Sequence, residues 1–176
     1  MIVLWSKDLG RALDYLEERP DIDARKIGYY GFSAGAVYGP IFTAVDTRFK
    51  ATVLLAGGLY GNMAPEVDPV YFAPRSTVPT LMVNGRDDFI CPVEIAQKPM
   101  FQLLAAPQDE KRHARLEGGH IPRDRLALIA EVLAWFDRHL GPVGAGVGTG
   151  SQFRSDSPHP GVDAIERHAP GPQPGR

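Results

Sequence analysis

Apolar residues Trp5, Leu9, Leu13 and Leu16 recur at helical spacing, with Lys7, Arg11, Glu17 and Glu18 on the opposite face. That period predicts a helix over 6–18. Pro20, which has no N–H and whose ring clashes with the preceding turn, stops it. Lys26 to Tyr30 reads as a strand, and 34–45 as a helix of small residues. Gly35, Gly39 and Pro40 give that helix poor intrinsic propensity, so packing has to hold it. The run 51–56 is wholly apolar and partly β-branched, the pattern of a strand buried on both faces of a parallel sheet. Residues 80–84, with Leu81, Met82 and Val83 at their centre, read as the third strand, and 115–117 form a weaker fourth strand. A helix over 92–105, kinked at Pro99, is expected to turn Ile95, Met100, Phe101 and Leu104 inward. A last helix from about Asp124 is expected to pack Leu126, Ile129, Leu133, Phe136 and Leu140, and Gly141-Pro142 stops it.

Strands alternating with helices predict an α/β fold with a parallel sheet of about four strands flanked by helices. Two segments fall outside the pattern. Leu59 to Pro79 holds four prolines and three aromatic residues, which fits either the wall of a pocket or a surface excursion. Beyond residue 143 the chain turns rich in Gly, Pro, Ser and Arg, with few large apolar side chains. Residues 1–143 are therefore expected to fold as one domain. Residues 144–176 are expected to be a disordered tail, because too little apolar surface is on offer to offset the ordering entropy.

Composition narrows the function classes. With 44% hydrophobic and 23% charged residues, the balance is that of a globular chain of 176 residues. A net charge of −2 provides no basic footprint for nucleic acid or an anionic membrane, and no apolar run approaches the ~20 residues of a membrane span. A single cysteine, Cys91, excludes an intramolecular disulfide and fits a cytoplasmic setting. No cluster at metal-ligand spacing and no phosphate-binding loop is readable, so no cofactor is expected.

The candidate chemistry lies at strand ends. Gly31-Phe32-Ser33-Ala34-Gly35 follows the first strand and opens a helix, the strand–turn–helix arrangement of a nucleophile elbow. Asp87 and Asp88 follow the third strand, and Gly118-Gly119-His120 follows the fourth. In a parallel sheet these ends open onto one crevice. A serine needs a base to take its proton, and His120 can serve near neutral pH. The histidine in turn needs a carboxylate to hold its tautomer, and Asp88 is better placed than Asp87, which reads as a turn residue. The Ala34 amide would donate to the oxyanion. His113 is the rival base, read as lying before the last strand and hence at the wrong edge. The glycines flanking Ser33 are both expected to be required for want of room.

These motifs resemble the dienelactone-hydrolase and prolyl-oligopeptidase branch of the α/β hydrolases. The resemblance runs over about 1–143. It rests on Tyr15-Leu16-Glu17, Arg19-Pro20-Asp21-Ile22-Asp23, Gly31 to Gly35, Gly85 to Pro92, and Glu117-Gly118-Gly119-His120. It implies a serine hydrolase with Ser33, Asp88 and His120 as catalytic triad, acting on a small-molecule ester, with a peptidase as the alternative. Dienelactone hydrolases proper use cysteine where Ser33 stands, so a serine esterase is the better expectation. The family fold has eight strands. Only about four are readable here, which predicts a partial α/β-hydrolase fold with its N-terminal strands missing. The loop that supplies the second oxyanion amide would be missing with them. The elbow strand would then be an open edge, inviting self-association or an N-terminal partner segment. An apolar patch would also be left on one sheet face, and the chain could then be a weak fragment that acts by association.

Overall fold

The computed structural model describes residues 1–61 and 63–142; the tail read as disordered lies outside the described residues. Four parallel strands make one sheet in the order β1-β2-β3-β4: β1 (Gly28–Phe32), β2 (Ala51–Leu55), β3 (Thr80–Gly85) and β4 (Lys111–Leu116). Helix α1 (Ile2–Glu18) precedes β1, and α2 (Ala34–Val45) connects β1 to β2. A short α3 (Pro69–Phe72) lies between β2 and β3. A π-helical turn, Val93–Gln97, runs into α4 (Lys98–Leu103) between β3 and β4, and α5 (Arg125–Leu140) closes the described chain. The fold is α/β, a parallel sheet of four strands flanked by helices.

This order decides the layers. Each strand is added beside the previous one in a single direction. Right-handed crossovers then put every connection on the same sheet face. One core accordingly joins α1, α2 and α4 to that face through Leu13, Phe42, Leu54, Met82, Met100 and Leu104. The opposite face is left to α5, which packs Leu128 and Trp135 against Val53, Leu55, Leu81 and Val83. Arg48, after α2, ties α1 down by bonding Asp14, Glu17 and the carbonyl of Gly10 while paired with Asp46.

Several expectations change. α5 packs Phe136 and Leu140 on the sheet as expected, but Leu126, Ile129 and Leu133 are exposed, and Leu128, Val132 and Trp135 face the sheet in their place. The helix lies over β2 and β3, and its outer apolar side chains stay exposed among the described residues. Ile95, expected inside, is 75% exposed, because the π-helical turn shifts the register so that Ala96 and Gln97 are buried. α1 starts four residues earlier than the pattern suggested, and β1 runs through Phe32. The fourth strand is 111–116, so His113 lies within it rather than before it.

Among the described residues β1 is an edge strand, bonded only to β2. Side chains alternate along it. A Cβ at Gly28 would meet Phe136 and Leu140, so Gly28, Tyr30 and Phe32 face the α5 side. Tyr30 and Phe32 stay exposed there, at 49% and 43%. Among the described residues, no helix is long and apolar enough to cross a membrane.

Candidate active site

Ser33 links β1 to α2 with φ 51° and ψ −112°, a backbone conformation that costs a non-glycine residue of order 1–3 kcal/mol. The surroundings hold it there. The Ser33 N–H donates to the carbonyl of Leu55, and its own carbonyl accepts from Ala36 and Val37 in the first turn of α2. Gly31 is required by space, since a Cβ would fall 2.5 Å from the Gly35 carbonyl carbon. Gly35 is not. A Cβ there meets only the Tyr29 hydroxyl at 3.6 Å, an ordinary contact, so that part of the glycine expectation is corrected. Instead the Gly35 carbonyl accepts from the Tyr29 hydroxyl at 2.7 Å. Ala34 is the first residue of α2, and its N–H has no carbonyl partner inside the helix.

The loop after β3 carries Asp88, which is 3% exposed, whereas Asp87 is exposed. One Asp88 oxygen, Oδ1, accepts from the backbone N–H groups of Ile90 (2.9 Å) and Cys91 (3.0 Å). The other, Oδ2, lies 2.9 Å from His120 Nδ1. With Oδ1 held by two backbone donors, the carboxylate can turn neither away from the imidazole nor towards solvent.

His120 comes from the loop after β4. That loop reaches the rim because Gly85 lets it pass: a Cβ at Gly85 would collide with the carbonyls of Gly118 and Gly119. Gly118 has φ +122°, and its carbonyl accepts from the N–H of Asp87, so the acid and histidine loops brace each other. His120 Nε2 lies 2.8 Å from Ser33 Oγ, and the Phe32 ring rests 5.8 Å from the imidazole, centre to centre. The structure thus brings Ser33, His120 and Asp88 into one hydrogen-bonded line.

His113 is elsewhere. Its Nε2 lies 3.2 Å from Asn84 Oδ1 and its ring packs on Phe101. Burial first, then the charges of Arg115 and Lys98, push its pKa down to about 4. Cys91 is buried, and burial together with the nearby Asp88 carboxylate pushes its thiol up to about 11. A cavity of about 180 Å³ opens beside Ser33, walled by Val37, Tyr38, Tyr60, Met63, Ile90 and Cys91. Tyr60 and Met63 give the irregular 59–79 stretch the role of pocket wall, the first of its two readings.

Asp88, Cys91 and His120 offer one metal-binding atom each within 4.8 Å of one another, a cluster the residue spacing did not reveal. A soft divalent ion there would have to displace the hydrogen bond between Asp88 and His120 and ionise a thiol that its surroundings keep protonated. The sequence reading also passed over Gln97. It is fully buried, and its Nε2 donates to the carbonyls of Gly85 and Cys91.

No protein-family model matches the chain. Over 167 residues it is 25% identical to the uncharacterized peptidase YuxL of Bacillus subtilis, covering 76% of this chain and 25% of that protein. A cold-adapted esterase from an Arctic intertidal metagenomic library superposes with a TM-score of 0.62 and 26% identity, over 77% of this chain and 57% of that one. A Klebsiella pneumoniae protein assigned as a dienelactone hydrolase gives a TM-score of 0.65 at 23% identity, over 76% and 60%. The chain therefore spans a quarter of the curated relative and less than two thirds of these solved structures. Sheet order, elbow and these likenesses agree: the chain carries a part of the α/β-hydrolase fold.

Proposed function

We propose that this chain is a serine hydrolase of carboxylic esters, with Ser33 as nucleophile, His120 as general base and acid, and Asp88 as the carboxylate behind it. The observation that carries the reading is the pair of contacts at His120, 2.8 Å to Ser33 Oγ and 2.9 Å to Asp88 Oδ2. In the first step Ser33 Oγ attacks the ester carbonyl carbon while its proton passes to His120 Nε2. The tetrahedral oxyanion takes a hydrogen bond from the Ala34 N–H. The imidazolium keeps its Nδ1 proton on Asp88 and returns the Nε2 proton to the departing alkoxide. Water, giving its proton to the same nitrogen, then attacks the acyl carbonyl; the bond to Ser33 Oγ breaks, Oγ takes that proton back, and the acid leaves. The cavity walls are apolar or phenolic, which suits an uncharged acyl group. The single cysteine, buried and protonated, suits a cytoplasmic setting.

A fluorophosphonate probe tests the reading: it should label the chain, and Ser33→Ala should abolish the label. Hydrolysis of p-nitrophenyl acetate alongside peptide amides then separates an esterase from a peptidase, the activity that the YuxL likeness raises. A folded chain that the probe does not touch would sink the enzyme reading.

The open edge supports a second reading, a weakly active piece that works by associating with a second copy or a separate segment along β1. Exposed Tyr30 and Phe32, with Ile129 and Leu133 on α5, favour it. Its mark would be a probe-silent chain that sediments as a dimer or larger.

A further inference from the structure

We propose that Gln97 is a positioning residue for His120, fixing the carboxylate behind it by clamping both ends of the acid loop; the inference rests on the ester-hydrolase reading above. Gln97 lies at the end of the π-helical turn and is fully buried. Its amide nitrogen donates to the Gly85 carbonyl at 3.1 Å, where β3 ends, and to the Cys91 carbonyl at 2.7 Å, where the acid loop ends. Asp88 lies between these two points. The Cys91 peptide that follows Asp88 therefore works at both of its ends. Its N–H holds Asp88 Oδ1 at 3.0 Å, and its C=O is held by Gln97.

The orientation of the amide is forced, because turning it over would aim Oε1 at two carbonyl oxygens. As placed, Oε1 has no partner among the described residues. A buried unpaired carbonyl is unfavourable, so a residue serving packing alone would be better replaced by an apolar side chain of the same length. Gly85, the other anchor, lies against the Gly118 and Gly119 carbonyls of the histidine loop. One side chain thus sets the distance between acid and base without touching either.

Three groups that titrate or carry charge lie around the imidazole. Asp88 and Cys91 come from the acid loop and Tyr60 from the 59–79 stretch, while the elbow contributes Ser33 and Phe32. Of the three, Asp88 is the one bonded to the imidazole, and it is coupled to Gln97 through the Cys91 peptide, so a loosened clamp should act on His120 through that carboxylate.

The test uses the full chain with Gln97→Met, which keeps the length and removes both donated bonds, and Gln97→Glu, which as a neutral acid donates one. Expected kcat falls roughly tenfold or more in Gln97→Met, by less in Gln97→Glu, and KM stays within about twofold. The acid limb of kcat/KM moves to lower pH in the same order, because the imidazolium loses its carboxylate. The His120 titration, followed by NMR, should move the same way and needs no turnover. A chain inactive in every form therefore defeats the hydrolase reading, while the NMR shift still decides the clamp. An unmoved His120 titration in folded Gln97→Met, with only the melting temperature lowered, would overturn the proposal. Should neither variant fold, the unmodified chain decides: Gln97 side-chain amide protons exchanging as slowly as the Cys91 amide support the clamp, and free exchange overturns it.

Discussion

The rim at the strand ends and the flank beside β1 belong to one sheet and are built on opposite terms. At the rim the side chains of Ser33, Asp88 and His120 all have partners, and strain is tolerated: Ser33 holds an unfavourable backbone angle, and three loops brace one another within hydrogen-bond distance. On the flank, Tyr30 and Phe32 are about half exposed, and α5 turns Leu126, Ile129 and Leu133 to the outside. The rim's Ser33, Asp88 and His120 are held by the turns and loops at the ends of β1, β3 and β4. On the flank, β1 is the outermost strand among the described residues. Loops positioned from within the sheet can be well ordered while its edge stays open.

The largest test of this contrast is at Ser33. Ser33→Ala should lower ester turnover by roughly 10⁵–10⁶-fold while leaving the melting temperature within a few degrees. Asp88→Asn comes next, at about 10⁴-fold, since the imidazole would be held in the wrong tautomer. Gly85→Ala drives a Cβ into two carbonyls. It should cost about 3 kcal/mol in a urea titration and reduce activity by separating the acid and histidine loops.

His113 sharpens the comparison from behind the rim. Burial holds it neutral down to about pH 4, whereas the unfolded chain takes up that proton near the usual 6.5. Between those values the unfolded state binds the extra proton, so stability falls as pH drops through the window, by on the order of 3 kcal/mol. His113→Gln should flatten that part of the stability curve in urea titrations at stepped pH. At the flank the effect on stability is smallest: Tyr30→Lys or Ile129→Lys should shift it by only about 0.5 kcal/mol. If copies associate along β1, sedimentation velocity should show the same substitutions dispersing them. Unchanged sedimentation would free the flank of that role.

Much of this was legible in the residue pattern, where local chemistry decides. The apolar runs 51–55 and 80–85 are strands because only a sheet covered on both faces takes them in, and both lie at the centre. The elbow was readable from Gly31, Ser33 and the small residues of α2. Asp88 could be separated from Asp87 by loop length alone. The polar sequence Lys-Arg-His-Ala-Arg-Leu hid most of β4, because an edge strand buries little and carries charge freely. Gln97 was invisible for a different reason. Its partners are carbonyl oxygens, and no side-chain pattern announces those.

The order of elements and the chemistry available at each strand end were written into the sequence, because turns, caps and apolar periods act over a few residues. Which side of α5 would meet the sheet was not, since Leu126 and Leu128 are equally apolar and only the position of β2 and β3 beneath the helix distinguishes them. The distances at His120 were likewise set by the packed fold: its two partners lie 87 and 32 residues away in the chain, and they meet through contacts that no local rule contains.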